Sequence, residues 1–347
     1  MKKKMWAQMF YAPEDVKFEE IDVPAPNDDE MLVKVKAALT CGTDLKTYRR
    51  GHPSIIKSVP STFGHEFAGN VVEVGKNVTE FKVGDRVVGA NSAPCFHCYF
   101  CKRGEYSLCE NLEFLNGAYS EYVVIPKQIL KYNYLHIPEG LDYREAALVE
   151  PLACALHGID RIDIKIGDTV VVIGVGPIGL MFVKLATLKG ARVIAVDFSE
   201  YRLEESKKFG AVLTVNAKDK DHPAVIKKLT EEGKGADVVI EATGIPEAWM
   251  NAINMVRPHG QVLTFGGTKK GTTFSIDCQK FHYEEIQIKA VFHHTPYHVR
   301  RALDLVASGQ VNGKLFITGE FPLSKTIDAL ESIGRQEGIK YAITMPK

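Results

Sequence analysis

The sequence has no excess of either charge. Its 347 residues carry 43 Lys plus Arg against 43 Asp plus Glu, a formal net charge of zero. General nucleic-acid binders and membrane-surface proteins draw affinity from one-sided positive charge, so this balance argues against both. Long apolar runs are also missing. No stretch approaches the roughly 20 residues that span a hydrocarbon core. The basic start Met1-Lys-Lys-Lys-Met5 is not followed by the apolar core of a signal peptide. A soluble, intracellular protein is therefore expected, specifically a cytoplasmic one. Internal repeats and low-complexity linkers are absent as well, and the length suits two ordinary domains. In a reducing compartment the 7 cysteines are expected to be free or metal-bound rather than cross-linked.

Four of those cysteines crowd into fifteen positions, Cys95-Phe-His-Cys98-Tyr-Phe-Cys101 and then Cys109. Four thiolates at tetrahedral reach close a zinc shell with no open position, the signature of a structural site. A ferredoxin-type cluster run would bring the fourth cysteine about three residues after the third, followed by proline. Here the gap is longer and Glu110 follows Cys109.

Two kinds of periodicity divide the chain. Up to about residue 140 it reads as short strands between glycine-rich turns: alternating Met31–Lys36, Gly69–Gly75 and Gly84–Gly89. Near residue 143 helical composition begins, with Pro151 suited to a first helical turn. From residue 169 strands and helices alternate, with apolar strands expected at Val170–Ile173, Val193–Val196, Val238–Ile240 and Val262–Phe265. Nearly continuous apolar strands separated by helices imply a parallel sheet covered on both faces.

The first of these strands runs into Gly174-Val-Gly176-Pro177-Ile178-Gly179, and a helix follows to Leu188. In this strand–turn–helix setting the glycines have separate tasks. Gly174 allows the tight turn, Gly176 lets the backbone approach a pyrophosphate, and Gly179 lets helix and strand pack closely. The helix N-terminus offers unpaired N–H groups to phosphates. Asp197 ends the second strand, where an acid bonds the adenosine ribose hydroxyls; the bland reading is a turn residue before the helix at Ser199. An acid there repels a 2′-phosphate, so NAD is expected rather than NADP. Pro177, Ile178, Arg202 and Gly266 join the cofactor-binding candidates. Gly266 and Gly267 either admit a nicotinamide or simply form a turn.

Three further segments carry candidate metal ligands: Cys41-Gly-Thr43-Asp44, Gly64-His65-Glu66 and Glu150-Pro151. A catalytic zinc keeps about three protein ligands and an open position. Cys41 and His65 offer a thiolate and an imidazole, and Glu66 or Glu150 an oxygen. Each has a bland reading: a small buried cysteine, a hydrogen-bonded core histidine, a carboxylate at a helix start. Spacing alone does not join them.

Taken in order, Cys41–Asp44, Gly64–Glu66 with Gly69 and Gly75, Gly84-Asp-Arg-Val87, the four-cysteine lobe, Glu150-Pro-Leu152, the Gly174–Gly179 turn and Asp197 resemble the zinc-dependent medium-chain dehydrogenase/reductase family, over essentially the whole chain. The sorbitol (polyol) and threonine dehydrogenase branch is the nearest likeness, because Glu150 stands where classical alcohol dehydrogenases carry a cysteine. The resemblance implies an α/β protein. A GroES-like, mostly-β catalytic domain would span 1–153 and 298–347. A Rossmann domain with a doubly wound parallel sheet would span 154–297, with the active site in the cleft. It implies a structural zinc on Cys95, Cys98, Cys101 and Cys109, and a catalytic zinc on Cys41, His65 and Glu150 or Glu66. Thr43, Asp44 and Glu66 are the catalytic candidates. Thr43 would take the hydroxyl proton, and Asp44 would orient a ligand or cap a turn.

The implied activity is NAD-dependent oxidation of a secondary alcohol to the ketone, with a polyol, sugar alcohol or amino alcohol as substrate, in a homo-oligomer (tetramer or dimer). Rival readings are an NADPH-preferring carbonyl reductase of the same fold and a non-catalytic, nucleotide-binding zinc protein. One position departs from the family: Lys46 stands where many relatives carry a proton-relaying histidine. Lys46, Arg49, Arg50 and His52 form a basic group that reads as a solvated loop or a contact from Lys46 to the pyrophosphate. The sharper alternative is a face selecting an anionic polyol.

Overall fold

The computed structural model describes residues 3–52, 55–219 and 221–346. It divides into two compact units, Met1–Ala153 with His294–Lys347, and Cys154–His293. Among the described residues no helix is long and apolar enough to cross a membrane.

The first unit is built on a seven-stranded sheet. Its path runs Tyr134–His136, Arg86–Gly89, Phe67–Val74, Met31–Leu39, Lys340–Thr344 and Ile317–Pro322, and Tyr122–Ile125 also pairs with Met31–Leu39. Met31–Lys36 alternates in sequence, yet Met31, Leu32, Val33 and Val35 are all buried. The strand has apolar cover on both faces. Met31, Val33 and Val35 enter the large core with Phe63, Phe67 and Tyr119, while Leu32 packs with Met5 and Tyr122. A smaller sheet of Lys4–Ala12, Asp15–Asp22 and Ser61–Thr62 adjoins it in sequence.

Two helices carry the residues of interest. Gly42–Arg50 starts at Cys41, whose Sγ accepts a hydrogen bond from Thr43 N. Asp44 lies in its first turn and Arg49 and Arg50 in its last, the order its dipole favours. Val149–Ile159 has Glu150 in its first turn, and Pro151 beside it needs no N–H there.

The second unit contains a six-stranded, all-parallel sheet. Its order is Ala211–Asn216, Arg192–Asp197, Thr169–Ile173, Ala236–Glu241, Val256–Thr264 and Gln287–Ala290. The order reverses beside Thr169–Ile173, which makes its carboxyl end a topological switch point. The fourth expected strand ends at Thr264, one residue early, because Phe265 N and Gly266 N turn back onto Glu241 O. The two edge strands escape a reading based on apolar runs. Ala211–Asn216 and Gln287–Ala290 are short and mixed in polarity, as edges tend to be.

Gly179 fixes the approach of helix Pro177–Leu188 to the sheet, since a Cβ there would lie 1.9 Å from Gly174 O. At Gly84 the φ of +96° is strained for an L-residue, but nothing lies within 4 Å of the added carbon. Overpacking against backbone costs about 1–3 kcal/mol, while left-handed strain alone costs about 1–2 kcal/mol. Gly179→Ala is therefore expected to lower the urea midpoint of the second unit and to weaken dinucleotide binding. Gly84→Ala is expected to lower stability only and leave binding intact. Equal binding by both variants contradicts this account.

Candidate active site

The Asp44 carboxylate organises the first cluster. Its Oδ1 lies 2.8 Å from His65 Nδ1, and its Oδ2 accepts a 2.7 Å hydrogen bond from the Tyr119 hydroxyl. Asp44, His65 and Tyr119 are buried. Nδ1 of His65 thus donates to a carboxylate, which leaves Nε2 to face the Cys41 thiol and Glu150. Burial alone would lower the pKa of His65. The Asp44 carboxylate and the Cys41 thiol group outweigh it and hold the pKa well above its usual value. The site thus favours positive charge at the ring, a proton or a metal cation. Burial, reinforced by Asp44, holds the Tyr119 phenol well above its usual range, so it stays a donor.

Donor atoms of Cys41, His65 and Glu66 all lie within 4.8 Å of one another. A thiolate, an imidazole and a carboxylate at this spacing suit zinc. Glu150 reaches the same place from its helix, with Oε2 4.0 Å from His65 Nε2. That separation exceeds a hydrogen bond and is close to what two donors sharing one cation show. The other carboxylate oxygen lies 3.9 Å from His294 Nε2, which is itself 3.4 Å from Asn91 Oδ1.

The two carboxylates differ in their partners. Glu66 is fully buried, and both its oxygens lie within 2.7 Å of Lys340 Nζ. Burial would lower the pKa of Lys340, but the Glu66 carboxylate, with Cys41 and Glu150 also contributing, raises it instead. Burial pushes the Glu66 carboxyl upward while Lys340 opposes that. We take the pair as ionised, because one ammonium contacts both oxygens.

The four-cysteine lobe is a separate cluster. Donor atoms of Cys95, Cys98, Cys101 and Cys109 lie within 4.8 Å of one another, and all four cysteines are buried and free of disulfides. Cys98 Sγ and Cys109 Sγ are 3.9 Å apart, about twice a disulfide bond length. Cys95 N and Asn111 N donate to Cys109 Sγ at 3.2 and 3.3 Å, as N–H groups do to a thiolate.

At the carboxyl end of the parallel sheet, Asp197 accepts from Val175 N at 2.8 Å and from Ser199 N at 2.9 Å. It therefore holds the glycine turn and the next helix start together. The helix Pro177–Leu188 has Gly176 at its cap, no side-chain cap and no acid in its first turn. Pro177 and Ile178 are half-buried there. Only the Arg202 guanidinium comes within 4 Å of a Cβ placed on Gly176, at 3.5 Å, and Arg202 Nε is buried without a hydrogen-bond partner. An open backbone turn, a bare helix N-terminus and an orphaned guanidinium nitrogen fit a phosphate-bearing cofactor. Gly266 packs backbone to backbone, since a Cβ there would lie 2.0 Å from Gly244 N.

The remaining candidates are placed as follows. Thr43 is half-buried in the first turn of its helix, and Lys46 is exposed. Arg49 pairs with Glu331 at 2.6 Å, so the basic group is partly neutralised. His52 is half-buried, with its Nδ1 unpartnered. Sequence reading missed Tyr119, Lys340, His294 and Glu241. Glu241 is buried and accepts from Thr243 N and Gly244 N, holding the turn that abuts Gly174 and Gly266. The only local signal for it was an acid at the end of an apolar strand.

Comparison with known proteins shows the family. Residues 27–135 match the alcohol dehydrogenase GroES-like domain, and residues 177–308 match the zinc-binding dehydrogenase domain. The chain is 34% identical over 336 residues to a sorbitol dehydrogenase of Bacillus subtilis, covering 95% of this chain and 93% of the relative. It is 33% identical over 362 residues to an erythritol/L-threitol dehydrogenase of Mycolicibacterium smegmatis, covering 98% of each. Among solved structures, one described as a zinc-binding dehydrogenase of Sinorhizobium meliloti 1021 bound to NADP superposes with a TM-score of 0.91 at 31% identity, over 99% of this chain and 100% of that one. With these matches over nearly its whole length, the chain belongs to the zinc-dependent medium-chain dehydrogenase/reductase family, in its sorbitol (polyol) dehydrogenase branch.

Proposed function

We propose that this protein oxidises a neutral polyol at a secondary hydroxyl to the ketone, with NAD as hydride acceptor. The observation that carries the reading is the convergence of Cys41, His65 and Glu66, with a Glu150 oxygen 4.0 Å from His65 Nε2, around a histidine whose Nδ1 is already bonded to Asp44. Relatives named for sorbitol and for erythritol/L-threitol supply the substrate class. The unit Met1–Ala153 with His294–Lys347 acts as the catalytic domain and Cys154–His293 as the cofactor domain.

The roles follow from the chemistry of each side chain. Cys41, His65 and Glu150 hold the catalytic zinc. Glu150 is preferred to Glu66 because Lys340 engages both oxygens of Glu66. Cys95, Cys98, Cys101 and Cys109 hold a structural zinc. When bound, zinc supplies Lewis acidity that lowers a substrate hydroxyl's pKa, and NAD supplies the hydride acceptor. Asp44 fixes the tautomer and the ring orientation of His65. Thr43 accepts the hydroxyl proton and passes it toward solvent without a histidine at position 46. Gly174, Gly176, Pro177, Ile178 and Gly179 hold the pyrophosphate against the helix N-terminus, with Arg202 contributing charge. Asp197 would bond the adenosine ribose hydroxyls, and Gly266, packed against Gly244, would shape the turn beside the cofactor. We further propose a cytoplasmic homo-oligomer. Exposed Phe281, Tyr283 and Phe292 flank the edge strand Gln287–Ala290 and support association.

Metal analysis and unfolding separate the two zinc roles. The native chain is expected to hold two zinc ions. Cys41→Ala should keep one, fold normally and lose turnover by more than the ten- to hundredfold typical of losing an outer partner of a ligand. Cys98→Ser should lose about 2–4 kcal/mol of stability, since loss of a metal is among the large-effect changes. Full activity with only the cysteine-lobe zinc present excludes the catalytic assignment.

Cofactor choice tests Asp197. Asp197→Ala is expected to lower kcat/KM with NAD by about tenfold, the loss of a charged hydrogen bond, and to raise the NADP-to-NAD ratio. A native enzyme that uses NADP as well as NAD refutes the ribose role.

Substrate charge is tested with matched neutral and phosphorylated polyols, followed by nicotinamide absorbance. Because Arg49 is committed to Glu331 and Lys46 is exposed, the neutral polyol should be favoured at both low and high salt. A preference for the phosphorylated one that fades with salt would instead place the basic group at the substrate.

A further inference from the structure

Glu241 is a fully buried carboxylate at the end of the strand Ala236–Glu241, and it is held by donors alone. Its Oε1 accepts from Thr243 N at 2.6 Å, from Gly244 N at 3.0 Å and from the Thr243 hydroxyl. Its Oε2 accepts only from Gly244 N, at 3.2 Å. Burial pushes the carboxyl pKa upward, while Thr243, Gly244 and Trp249 oppose that as donors, and donors on all these sides favour the ionised form. Buried charges are normally paired. Among the described residues no cation pairs with this one.

Its place in the sheet says what supplies the missing charge. In a doubly wound sheet a dinucleotide lies across the switch point, with one nucleotide on each side. Arg192–Asp197 and Ala211–Asn216 lie on the side of Asp197, which is assigned to the adenosine. Ala236–Glu241 is the first strand on the other side of Thr169–Ile173, the half left to the nicotinamide. The turn that Glu241 holds closes on two glycines of that crevice. A Cβ on Gly174 would lie 2.3 Å from Thr243 Cγ2, and one on Gly266 would lie 2.0 Å from Gly244 N. An oxidised nicotinamide ring is a cation, and the reduced ring is neutral.

We propose that the Glu241 carboxylate is a specificity-determining group that makes the dinucleotide site favour the cationic, oxidised nicotinamide over a neutral one. The proposal rests on the reading that this unit binds a nicotinamide dinucleotide at its switch point. A buried carboxylate without a counter-charge is costly, and a cation bound in the same half relieves part of that cost. Away from bulk water the attraction needs no direct contact and is little screened by salt. A group that only shaped the turn would treat charged and uncharged rings alike.

The test measures binding by calorimetry on the full chain, with no substrate present. The probes are NAD and benzamide adenine dinucleotide, a flat analogue whose aromatic ring is uncharged. The native chain should bind NAD about tenfold tighter than the analogue, at low and high salt alike. In E241Q the amide oxygen can keep the Oε1 contacts while the amide nitrogen replaces Oε2, so the turn stays and the charge goes. NAD affinity should then fall about tenfold, and affinity for the analogue should stay at the native value. If E241Q weakens both alike, or neither, the proposal is overturned. It is overturned as well if the native chain binds the two equally, a comparison that decides alone should E241Q not fold. A native chain that binds neither dinucleotide defeats the cofactor reading itself, a result distinct from binding without a charge preference.

Discussion

The unit Met1–Ala153 with His294–Lys347 hangs on one carboxylate. Asp44 gives an oxygen to His65 Nδ1 and an oxygen to the Tyr119 hydroxyl, both below 3 Å and both out of water. It thereby ties the helix Gly42–Arg50 to two segments that follow it. Removing it leaves a buried imidazole N–H unpaired, with the penalty of a stranded donor, and leaves the Tyr119 hydroxyl only its longer 3.1 Å bond to Leu39 O. Gly64 completes the device. Its φ is +88°, and a Cβ there would lie 2.7 Å from the Tyr119 ring. The glycine before His65 is thus a packing requirement of the tyrosine that holds Asp44.

This constraint suits His65 to the proposed role of a ligand rather than to that of a core histidine. A core histidine satisfies both ring nitrogens within the protein. Here one nitrogen is bound by an acid, and the other faces the Cys41 thiol and a Glu150 oxygen 4.0 Å away, a set of donors rather than a core partner. Proximity alone does not rank those carboxylates. Charge compensation does, since Glu66 is paired with a buried ammonium and Glu150 reaches His65 and His294 across wider gaps.

What was legible in the sequence follows how far each interaction reaches along the chain. The glycine turn and the four-cysteine lobe are written within a few residues of themselves, so spacing alone carries their chemistry. The catalytic cluster joins residues 21 apart for Asp44 and His65, 75 apart for Asp44 and Tyr119, and 274 apart for Glu66 and Lys340. No periodicity connects these, and only family likeness brought Cys41, His65 and Glu150 or Glu66 together. Lys340 stayed invisible because an isolated lysine on a short strand normally reads as a solvent-facing residue. The alternation of Met31–Lys36 marked the strand Met31–Leu39 but not its cover on both faces, which is decided by its neighbours.

For Asp197 the turn-capping reading and the proposed ribose role need not compete. Its two oxygens accept Val175 N and Ser199 N, which is the turn-capping role in full. A carboxylate has about four acceptor sites, so two hydrogen bonds leave capacity for a pair of ribose hydroxyls. Those same two bonds also fix the carboxylate's direction and keep it tied to the glycine turn that would carry the pyrophosphate. A side chain pinned by its own backbone loses little further entropy when a ligand arrives. On this view the structural bonds of Asp197 are what equip it to discriminate between a hydroxyl and a phosphate at the ribose.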